Sequence, residues 1–492
     1  MPEKFDTIII GGGLAGLTCA ALLAKAGLKV ILLEKNNRLG GYAVSYTVKG
    51  HRFDIAIQAL GGCDREGVIY RLIQSLDAEE DIRFLPCEPA RVYYFGDSDT
   101  PWQQSGFNST LIDSLSSRFP DQRSIIEECY EKWSGILTEL EKIAVHSSGN
   151  VAFGFAKSYP LLTRYSGYTV KEFLDEHGVP EDLRRLMTAR SGYCMLPEEK
   201  LALVGFACTE MTYNNGAWMV EGGVERITRL LAKALGEQGG IIRRQSRAVR
   251  IITEQGKVSG VATKDGLVYE SDCVVMASSV RPALERMLDN PALLSDRFIK
   301  RLGAMQTSGS YYIAYYSVPA GAVEGLFPNI EVVDINMASQ LPLVDPSWSP
   351  DAYYMLIPSL VDPSAAPAGR HCLCLSIPCP AGYIMGREGR RKCRRFLEQA
   401  ALERFPQLKD RMTHLFELTP EHLETISNNT GGAAYGWLQT PEQSGIRRLN
   451  MKTPVPGLYL AGHWTMPGGG IAGVVTSGKL CAQTILKGIL SG

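Results

Sequence analysis

The chain has 492 residues, which is too long for one hydrophobic core at roughly 150 residues per domain, so we expect two or three cores. Apolar residues make up 45% and charged residues 21%, the composition of an ordinary globular protein. The formal net charge is −1, from 51 Lys and Arg against 52 Asp and Glu. It leaves no basic excess, so nucleic acid is not an expected partner.

The first predicted elements are a strand, a helix and a second strand. Phe5–Ile10 ends in an apolar run, which is typical of a parallel strand buried on both faces. Helical spacing follows over Leu14–Ala26, and Gly27 is a suitable residue to end that helix. Leu28–Leu33 is the second strand. This order predicts a βαβ unit of Rossmann-like type.

Glycines mark the turn between that first strand and its helix. In Gly11-x-Gly13-x-x-Gly16, the first glycine allows a tight turn and the second allows backbone to approach a pyrophosphate. The third glycine allows the helix to pack on the strand. The N–H groups of the helix N-terminus, at Leu14 and Ala15, suit the phosphates. Glu34 lies 18 residues after Gly16, where an acid can accept ribose hydroxyls.

A second glycine turn follows the acid. Lys35 comes first, then Arg38 and the pair Gly40 and Gly41. A nicotinamide enzyme has no particular need of this turn, whereas in an FAD protein it lets backbone approach the middle of the cofactor and lets Arg38 neutralise a phosphate. The alternative is that Arg38 is an ordinary loop arginine.

The middle of the chain predicts a further αβ segment. A helix over Val224–Gly236 follows Gly222 and Gly223. Short strands follow it, joined by turns at Glu254–Gly256 and Lys264–Gly266, and they predict an antiparallel meander. The predicted strands are Ile241–Ile242, Ala248–Thr253, Val258–Thr263 and Asp272–Ala277.

Near the C-terminus, a strand over Gly457–Ala461, a glycine-rich loop over Gly462–Gly470 and a helix over Ile471–Leu490 form a third αβ cluster. Two less regular stretches separate the clusters. The first is mostly helical, with helical spacing over Asp121–Ala144 and Val170–Leu186, and the second carries β-rich runs.

The predicted fold class is therefore α/β, with an α+β substrate region: a Rossmann-like FAD-binding domain of glutathione-reductase type with an inserted substrate domain. The expected bounds are 1–75, 216–290 and 421–492 for a discontinuous FAD-binding domain, with 76–215 and 291–420 as two insertions that form the substrate domain.

Four pieces of the chain together resemble one enzyme family. They are Gly11–Gly41, Phe53–Asp54, Trp218–Gly223 and Gly457–Gly478, in the right order across nearly the whole chain. The resemblance is to the phytoene desaturase, carotenoid isomerase and retinol saturase family of FAD enzymes, within the amine-oxidase-like superfamily. His463 and Trp464 depart from this family's pattern, which has small residues there, and Met466 stands where a polar residue is usual.

The resemblance implies FAD as the cofactor and adds site residues. It implies that Gly462 and His463 lie at the flavin, and that the final helix directs its N–H groups at the flavin edge and stabilises negative charge there. Val249 matches the position whose backbone contacts adenine. The FAD-binding residues added in this way are Val249, Gly462, His463, Gly470, Ile471 and Val474.

Two residues are candidates for acid–base chemistry. His463 is the single histidine in a cofactor loop, where it could donate a proton or could simply bond a backbone carbonyl. Glu221 precedes Gly222 and Gly223, and the alternative role for it is an acid placed at a helix start.

The twelve cysteines include no Cys-x-x-Cys pair, so we expect reduced thiols in a cytoplasmic protein and no metal. Ile8–Leu33 is largely apolar, but glycines and two lysines interrupt it, so we expect neither a signal peptide nor a membrane span; a peripheral membrane contact stays open. No pattern indicates an oligomeric state.

Three functions are compatible with these patterns. The first is an FAD-dependent oxidoreductase that acts on carbon–carbon bonds of an apolar, polyene or isoprenoid-like substrate, with an electron acceptor or donor that no motif identifies. The second is a flavin amine oxidase, which an aromatic cage beside the flavin would favour. The third is a non-catalytic prenyl-binding escort protein. Paired aromatics such as Tyr311 with Tyr312 and Tyr353 with Tyr354 either line a long apolar pocket or simply suit β-strands. We expect a hydrophobic tunnel leading to the flavin, lined from both insertions.

Overall fold

The computed structural model describes residues 3–55, 59–96, 98–146, 155–333 and 352–491. Its first layer is a five-stranded parallel sheet with Thr7–Ile10 in the middle, every side chain of that strand being buried. Across this parallel sheet the strands follow the order Ile241–Arg243, Val30–Leu33, Thr7–Ile10, Val274–Met276 and Leu458–Leu460. The predicted α/β, Rossmann-like class is confirmed.

Three helices pack with the parallel sheet. Leu14–Lys25 contacts both Glu225–Glu237 and Ile471–Ser491. Leu17, Leu231 and Val475, one from each helix, belong to one buried cluster. Because parallel strands share their direction, the glycine turn after Ile10 and the glycine loop after Leu460 lie at the same edge of the sheet. The fold therefore brings together two loops that are about 450 residues apart in sequence.

A second, four-stranded sheet contains the predicted meander, with three differences. The strand predicted over Ile241–Ile242 is Ile241–Arg243, and it lies in the parallel sheet beside Val30–Leu33. The third meander strand is Val268–Glu270, which the sequence analysis missed because it is short and alternates exposed and buried residues. The strand predicted over Asp272–Ala277 is Val274–Met276 and lies in the parallel sheet, where its uniformly buried run has partners on both sides. This second sheet has the order Glu3–Lys4, Val268–Glu270, Lys257–Thr263 and Ala248–Glu254.

A third sheet has seven strands, with both parallel and antiparallel pairs, and it lies beside the two sheets described above. Its two halves join where Asn329–Val333 pairs in parallel with Arg91–Phe95, so both predicted insertions contribute strands. Its order is Thr413–Leu418, Ser310–Pro319, Arg370–Cys379, Ala352–Leu356, Asn329–Val333, Arg91–Phe95 and Trp102–Gln104. Two further antiparallel pairs are Ser45–Val48 with His51–Asp54 and Phe84–Cys87 with Ala217–Val220. The domain bounds given above remain a prediction.

Helices occupy most of the first insertion beyond its strands. The helical spacing over Val170–Leu186 corresponds to two helices, since Gly178 with φ +63° and Pro180 interrupt it. These helices are Asn108–Arg118, Arg123–His146, Phe155–Ser158, Pro160–Tyr165, Val170–Glu176, Glu181–Met187 and Leu203–Thr212. Elsewhere the α-helices are Val68–Gln74, Val280–Arg286, Asp296–Ala304, Arg387–Arg404 and Pro420–Ser427. Among the described residues, none of the helices combines the length and the apolar character that a membrane crossing requires.

Candidate functional site

One cavity of about 960 Å³ is lined by all three sets of elements: the parallel sheet with its loops, the helices of the first insertion and the seven-stranded sheet. Most of the predicted cofactor residues line it. They are Gly11, Gly13, Leu14, Ala15, Glu34, Lys35, Gly40, Gly41, Val249, Gly462, His463, Gly470, Ile471 and Val474. The two glycine loops and the acid therefore border the same space.

The glycines of the first turn have two different roles. A Cβ at Gly11 would lie 2.6 Å from the carbonyl oxygen of Ala277, and a Cβ at Gly16 would lie 2.0 Å from the carbonyl oxygen of Gly11, so close packing requires both glycines. No described atom lies within 4 Å of a Cβ at Gly13, which borders the cavity. This open space beside the helix N-terminus fits a pyrophosphate.

Glu34 occupies the place that the spacing predicts. Its side chain is buried, its Oε2 accepts the N–H of Gly12 at 2.8 Å and its Oε1 accepts the N–H of Asn36 at 2.8 Å. These two bonds fix the carboxylate at the cavity wall with lone pairs to spare. The arrangement can accept two hydroxyls of a ribose.

The C-terminal loop presents a second approach to the cavity. Gly470 has φ +79° and no described atom within 4 Å of its missing Cβ, and Gly462 has φ +109° with its nearest neighbour, the Ala15 Cβ, at 3.7 Å. Helix Ile471–Ser491 begins directly after Gly470. Two helix N-termini thus border one cavity, which suits an anionic dinucleotide.

Three predicted residues that lie within the described ranges are outside the cavity lining. Gly16 is buried in the helix–strand packing. Arg38 pairs with Glu225 at 2.6 Å and donates to the Ser45 carbonyl oxygen at 2.8 Å. Glu221 is exposed and lies 3.5 Å from Arg83. The roles predicted for Arg38 and Glu221 remain predictions.

His463 is buried at the cavity wall. Its Nε2 lies 3.0 Å from Oδ1 of Asn429, and its carbonyl oxygen accepts a 2.6 Å bond from Nη2 of Arg448. Burial, reinforced by the Arg448 charge and opposed by a backbone hydrogen bond with Ala434, lowers the pKa of the His463 imidazole to about 3. The ring is therefore neutral at neutral pH.

Arg448 supports the loop from behind, and no sequence motif indicated it. It is 1% exposed, and it donates to backbone carbonyls of Tyr435 (3.2 Å), Trp437 (3.1 Å) and Thr465 (3.0 Å) as well as to His463. Among the described residues it has no carboxylate partner, and burial lowers the pKa of its guanidinium to about 9. A buried arginine bonded to four carbonyls fixes the path of the loop around His463.

The paired aromatics divide between two environments. Tyr311, Tyr315 and Tyr354 line the cavity, whereas their strand neighbours belong to the core on the other face of the seven-stranded sheet. Those neighbours are Tyr312, Tyr316 and Tyr353. Successive side chains of a strand point to opposite faces of the sheet, which explains the division. One tyrosine of each pair lines the cavity and the other packs in the core of the sheet. The sequence analysis did not identify four further lining tyrosines, because each stands singly and outside the predicted helices and strands. They are Tyr42, Tyr193, Tyr213 and Tyr435.

The twelve cysteines are free thiols. Within the described ranges, no group of three or more His, Cys, Asp or Glu side chains is placed to hold a metal ion.

Residues 14–486 match the family described as flavin containing amine oxidoreductase. A carotenoid 3,4-desaturase of Haloarcula japonica is 26% identical, over 98% of this chain and 98% of the relative. An inactive all-trans-retinol 13,14-reductase of Danio rerio is 23% identical, over 99% of this chain and 86% of the relative. A solved triple mutant of putrescine oxidase superposes with a TM-score of 0.66 at 16% identity, over all of both chains, which is a likeness of fold. The family match spans nearly the whole chain, and the cavity is bordered by the first glycine turn, by Glu34 and by the second glycine loop. The chain belongs to the flavin containing amine oxidoreductase family, as a flavin oxidoreductase whose cofactor is FAD.

Proposed function

We propose that this protein is an FAD-dependent oxidoreductase that acts on carbon–carbon bonds of an apolar, polyene or isoprenoid-like substrate, by desaturation, saturation or isomerisation. The observation that carries the proposal is that one cavity joins the cofactor loops to apolar side chains of both insertions. The carotenoid 3,4-desaturase relative, matched end to end at 26% identity, supports the same chemistry.

The apolar part of the lining comes from separate elements. Helices Arg123–His146 and Leu203–Thr212 contribute one side, and the seven-stranded sheet contributes the other. The aliphatic lining residues include Leu137, Leu140, Val204, Met211, Ile313 and Leu356. Burying a hydrocarbon chain against such a surface gains roughly 25 cal/mol per Å² of apolar area removed from water.

FAD supplies the hydride-transfer chemistry, in either direction, when it is bound. The side chains of this protein hold the substrate bond in position and keep water out of the cavity. The N-terminal ends of helices Leu14–Lys25 and Ile471–Ser491 place positive potential at the cofactor loops. Because His463 is neutral and bonded to Asn429, we assign it to the support of the loop and not to proton transfer.

A flavin amine oxidase is the second candidate, and one observation favours it. Tyr311 and Tyr435 line the cavity, and aromatic rings near a flavin can hold an amine. The likeness to putrescine oxidase concerns the fold alone. A non-catalytic escort protein is the third candidate. It is supported by the relative whose name describes an inactive retinol reductase.

The test uses the purified holoenzyme under anaerobic conditions. The oxidised protein is mixed with polyenes and with amines, and the dithionite-reduced protein is mixed with polyenes and with quinones, while the visible flavin spectrum is recorded. We expect polyenes to bleach the oxidised flavin or to reoxidise the reduced one, or to isomerise without net bleaching, with products identified by chromatography. Bleaching by amines alone would replace the proposal with the amine oxidase, and no reaction with any compound would favour the escort protein.

A further inference from the structure

Two of the cavity tyrosines stand in a stack with two buried arginines. The rings of Tyr193 and Tyr213 are stacked, with centroids 5.4 Å apart and planes 2° from parallel. The guanidinium of Arg91 lies 4.0 Å from the Tyr193 centroid, and that of Arg190 lies 4.7 Å from the Tyr213 centroid. Each ring therefore has an arginine against it and the other tyrosine stacked on it.

This stack leaves little free π surface for a cationic ligand. An ammonium group is attracted by the face of an aromatic ring, and here arginine cations already use faces of both rings. A second cation would also approach the charges of Arg91 and Arg190. The stack therefore disfavours an amine at this part of the cavity.

Two buried glutamates neutralise the charges of Arg91 and Arg190 and leave no net negative charge beside the stacked tyrosines. Arg91 pairs with Glu331 at 2.5 Å and Arg190 pairs with Glu210 at 2.7 Å, all four side chains being at most 3% exposed. Burial raises the pKa of Glu331, to about 7, although Arg91 opposes the shift. Burial also raises the pKa of Glu210. The two pairs together are neutral, or positive when a glutamate takes up a proton, so they attract no cation.

The neighbouring hydroxyls include a donor for which the described part of the chain provides no acceptor. Arg91 lies 5.5 Å from the Tyr354 ring, Tyr354 packs edge-on to Tyr311, and the Tyr311 hydroxyl lies 3.5 Å from the Tyr435 hydroxyl. Only one of these two hydroxyls can donate to the other, so one proton has no acceptor among the described residues. Both tyrosines line the cavity, so an oxygen of a bound ligand can accept that proton.

The backbone and Cβ of Tyr435 pack against the loop over Gly462–Gly470. A Cβ at Gly469 would lie 2.6 Å from the Tyr435 Cβ, and Arg448 donates to the Tyr435 carbonyl oxygen at 3.2 Å. Tyr435 is therefore held by the same arginine that holds His463. A substrate atom bound by the Tyr311 and Tyr435 hydroxyls would lie in the same cavity that this loop borders.

We propose, on the basis of the function proposed above, that the hydroxyls of Tyr311 and Tyr435 bind a hydrogen-bond-accepting oxygen, a hydroxyl or a carbonyl, carried by the otherwise apolar substrate. The substrate class is then an oxygenated polyene or isoprenoid and not a pure hydrocarbon. The stacked tyrosines and their arginines exclude the amine of the same shape.

The test compares four ligands on one isoprenoid skeleton, ending in an alcohol, an aldehyde, an amine or a plain hydrocarbon. Binding to the FAD holoenzyme is measured from the ligand-induced change in the flavin absorption spectrum, without turnover. For the native protein we expect the alcohol or the aldehyde to bind about tenfold or more tightly than the hydrocarbon, and the amine to bind no better than the hydrocarbon. The comparison of the alcohol with the aldehyde shows whether the bound oxygen belongs to a hydroxyl or to a carbonyl group.

Two variants test whether the preference for the oxygenated ligand comes from these two hydroxyls. Tyr311→Phe with Tyr435→Phe should weaken binding of the oxygenated ligand about tenfold and leave hydrocarbon binding unchanged. Tyr353→Phe is the matched control, because its hydroxyl bonds the Ala400 carbonyl oxygen at 3.3 Å on the other face of the sheet. It should leave the preference for the oxygenated ligand intact.

Equal binding of hydrocarbon and oxygenated ligands, or no binding of either oxygenated ligand, would overturn the subsite. So would an unchanged preference in the double variant. If hydrocarbon polyenes are nevertheless converted at their carbon–carbon bonds, the subsite fails and the proposed function stands. If the amine binds most tightly and alone reduces the flavin, both fail together.

Discussion

Nε2 of His463 lies 3.0 Å from Oδ1 of Asn429, and Nε1 of Trp464 lies 3.0 Å from the same atom. The indole N–H can only donate, so the shared atom is the amide oxygen, and His463 must also donate to it. The histidine in the cofactor loop therefore has its Nε2 proton directed at a neighbouring side chain. This geometry and the lowered pKa point to a loop-supporting residue.

The first prediction concerns the part that His463 plays in catalysis. His463→Ala should keep its FAD and should change the rate of flavin reduction or reoxidation by less than tenfold, because the lost contacts are internal to the protein. Flavin content from the visible spectrum and stopped-flow half-reaction rates, measured on the same preparation, check it. A loss of roughly 10² or more with full FAD content would instead make His463 an acid or base in the reaction.

The second prediction concerns pH. The pKa of His463 is lowered from 6.5 to about 3 by burial. Between these values the unfolded chain binds a proton that the folded chain does not, so this contribution to stability is present above pH 6.5 and decreases as the pH falls. From pH 7 to pH 5, the native protein should lose on the order of 2 kcal/mol relative to His463→Gln. Urea unfolding of both proteins at the two pH values tests it, and a constant difference would contradict it.

The third prediction concerns Gly13, in the turn predicted to approach a pyrophosphate. Gly13→Leu should abolish FAD binding, since a side chain there would enter the open space where no described atom lies within 4 Å. Gly236→Leu is the control, because its Cβ position is equally open but lies on the exposed side of helix Glu225–Glu237. Both proteins should fold by circular dichroism. A yellow, fully loaded Gly13→Leu protein would show that the site lies elsewhere.

The fourth prediction compares Glu34, the predicted ligand of a ribose, with Arg38. Glu34→Ala should weaken FAD binding at least tenfold, because it removes a carboxylate at the cavity wall and leaves the Gly12 N–H without its acceptor. Arg38→Ala should weaken it less, since Arg38 is paired with Glu225 outside the lining. FAD titration into the two apoproteins gives both constants. A larger effect from Arg38 would support its predicted contact with a phosphate.

The cofactor half of the site was predictable because the sequence patterns that indicate it involve residues close together in the chain. The strand Thr7–Ile10, the turn at Gly11 and Glu34 lie within one short βαβ unit, where periodicity and spacing suffice. Even so, the strand Val274–Met276 was assigned to the antiparallel meander and not to the parallel sheet, since a uniformly buried run does not identify its partners.

The substrate half was less predictable because its residues meet through long-range packing. Tyr311 and Tyr435 are 124 residues apart, and nothing in either local segment indicates the other. The pairs Arg91 with Glu331 and Arg190 with Glu210 are equally invisible, because an isolated charged residue in a sequence predicts exposure.

The sequence by itself determined the fold class, the FAD cofactor and the glycine turns that border the cavity, because backbone conformation and helix termini follow from residues close together in the chain. Only the tertiary structure decided which tyrosine of each pair faces the cavity, that His463 is neutral and bonded to Asn429, and that buried arginines stand behind Tyr193 and Tyr213. These depend on which face of a strand is covered and on how far a group is removed from water, and both are set by elements that are distant in sequence.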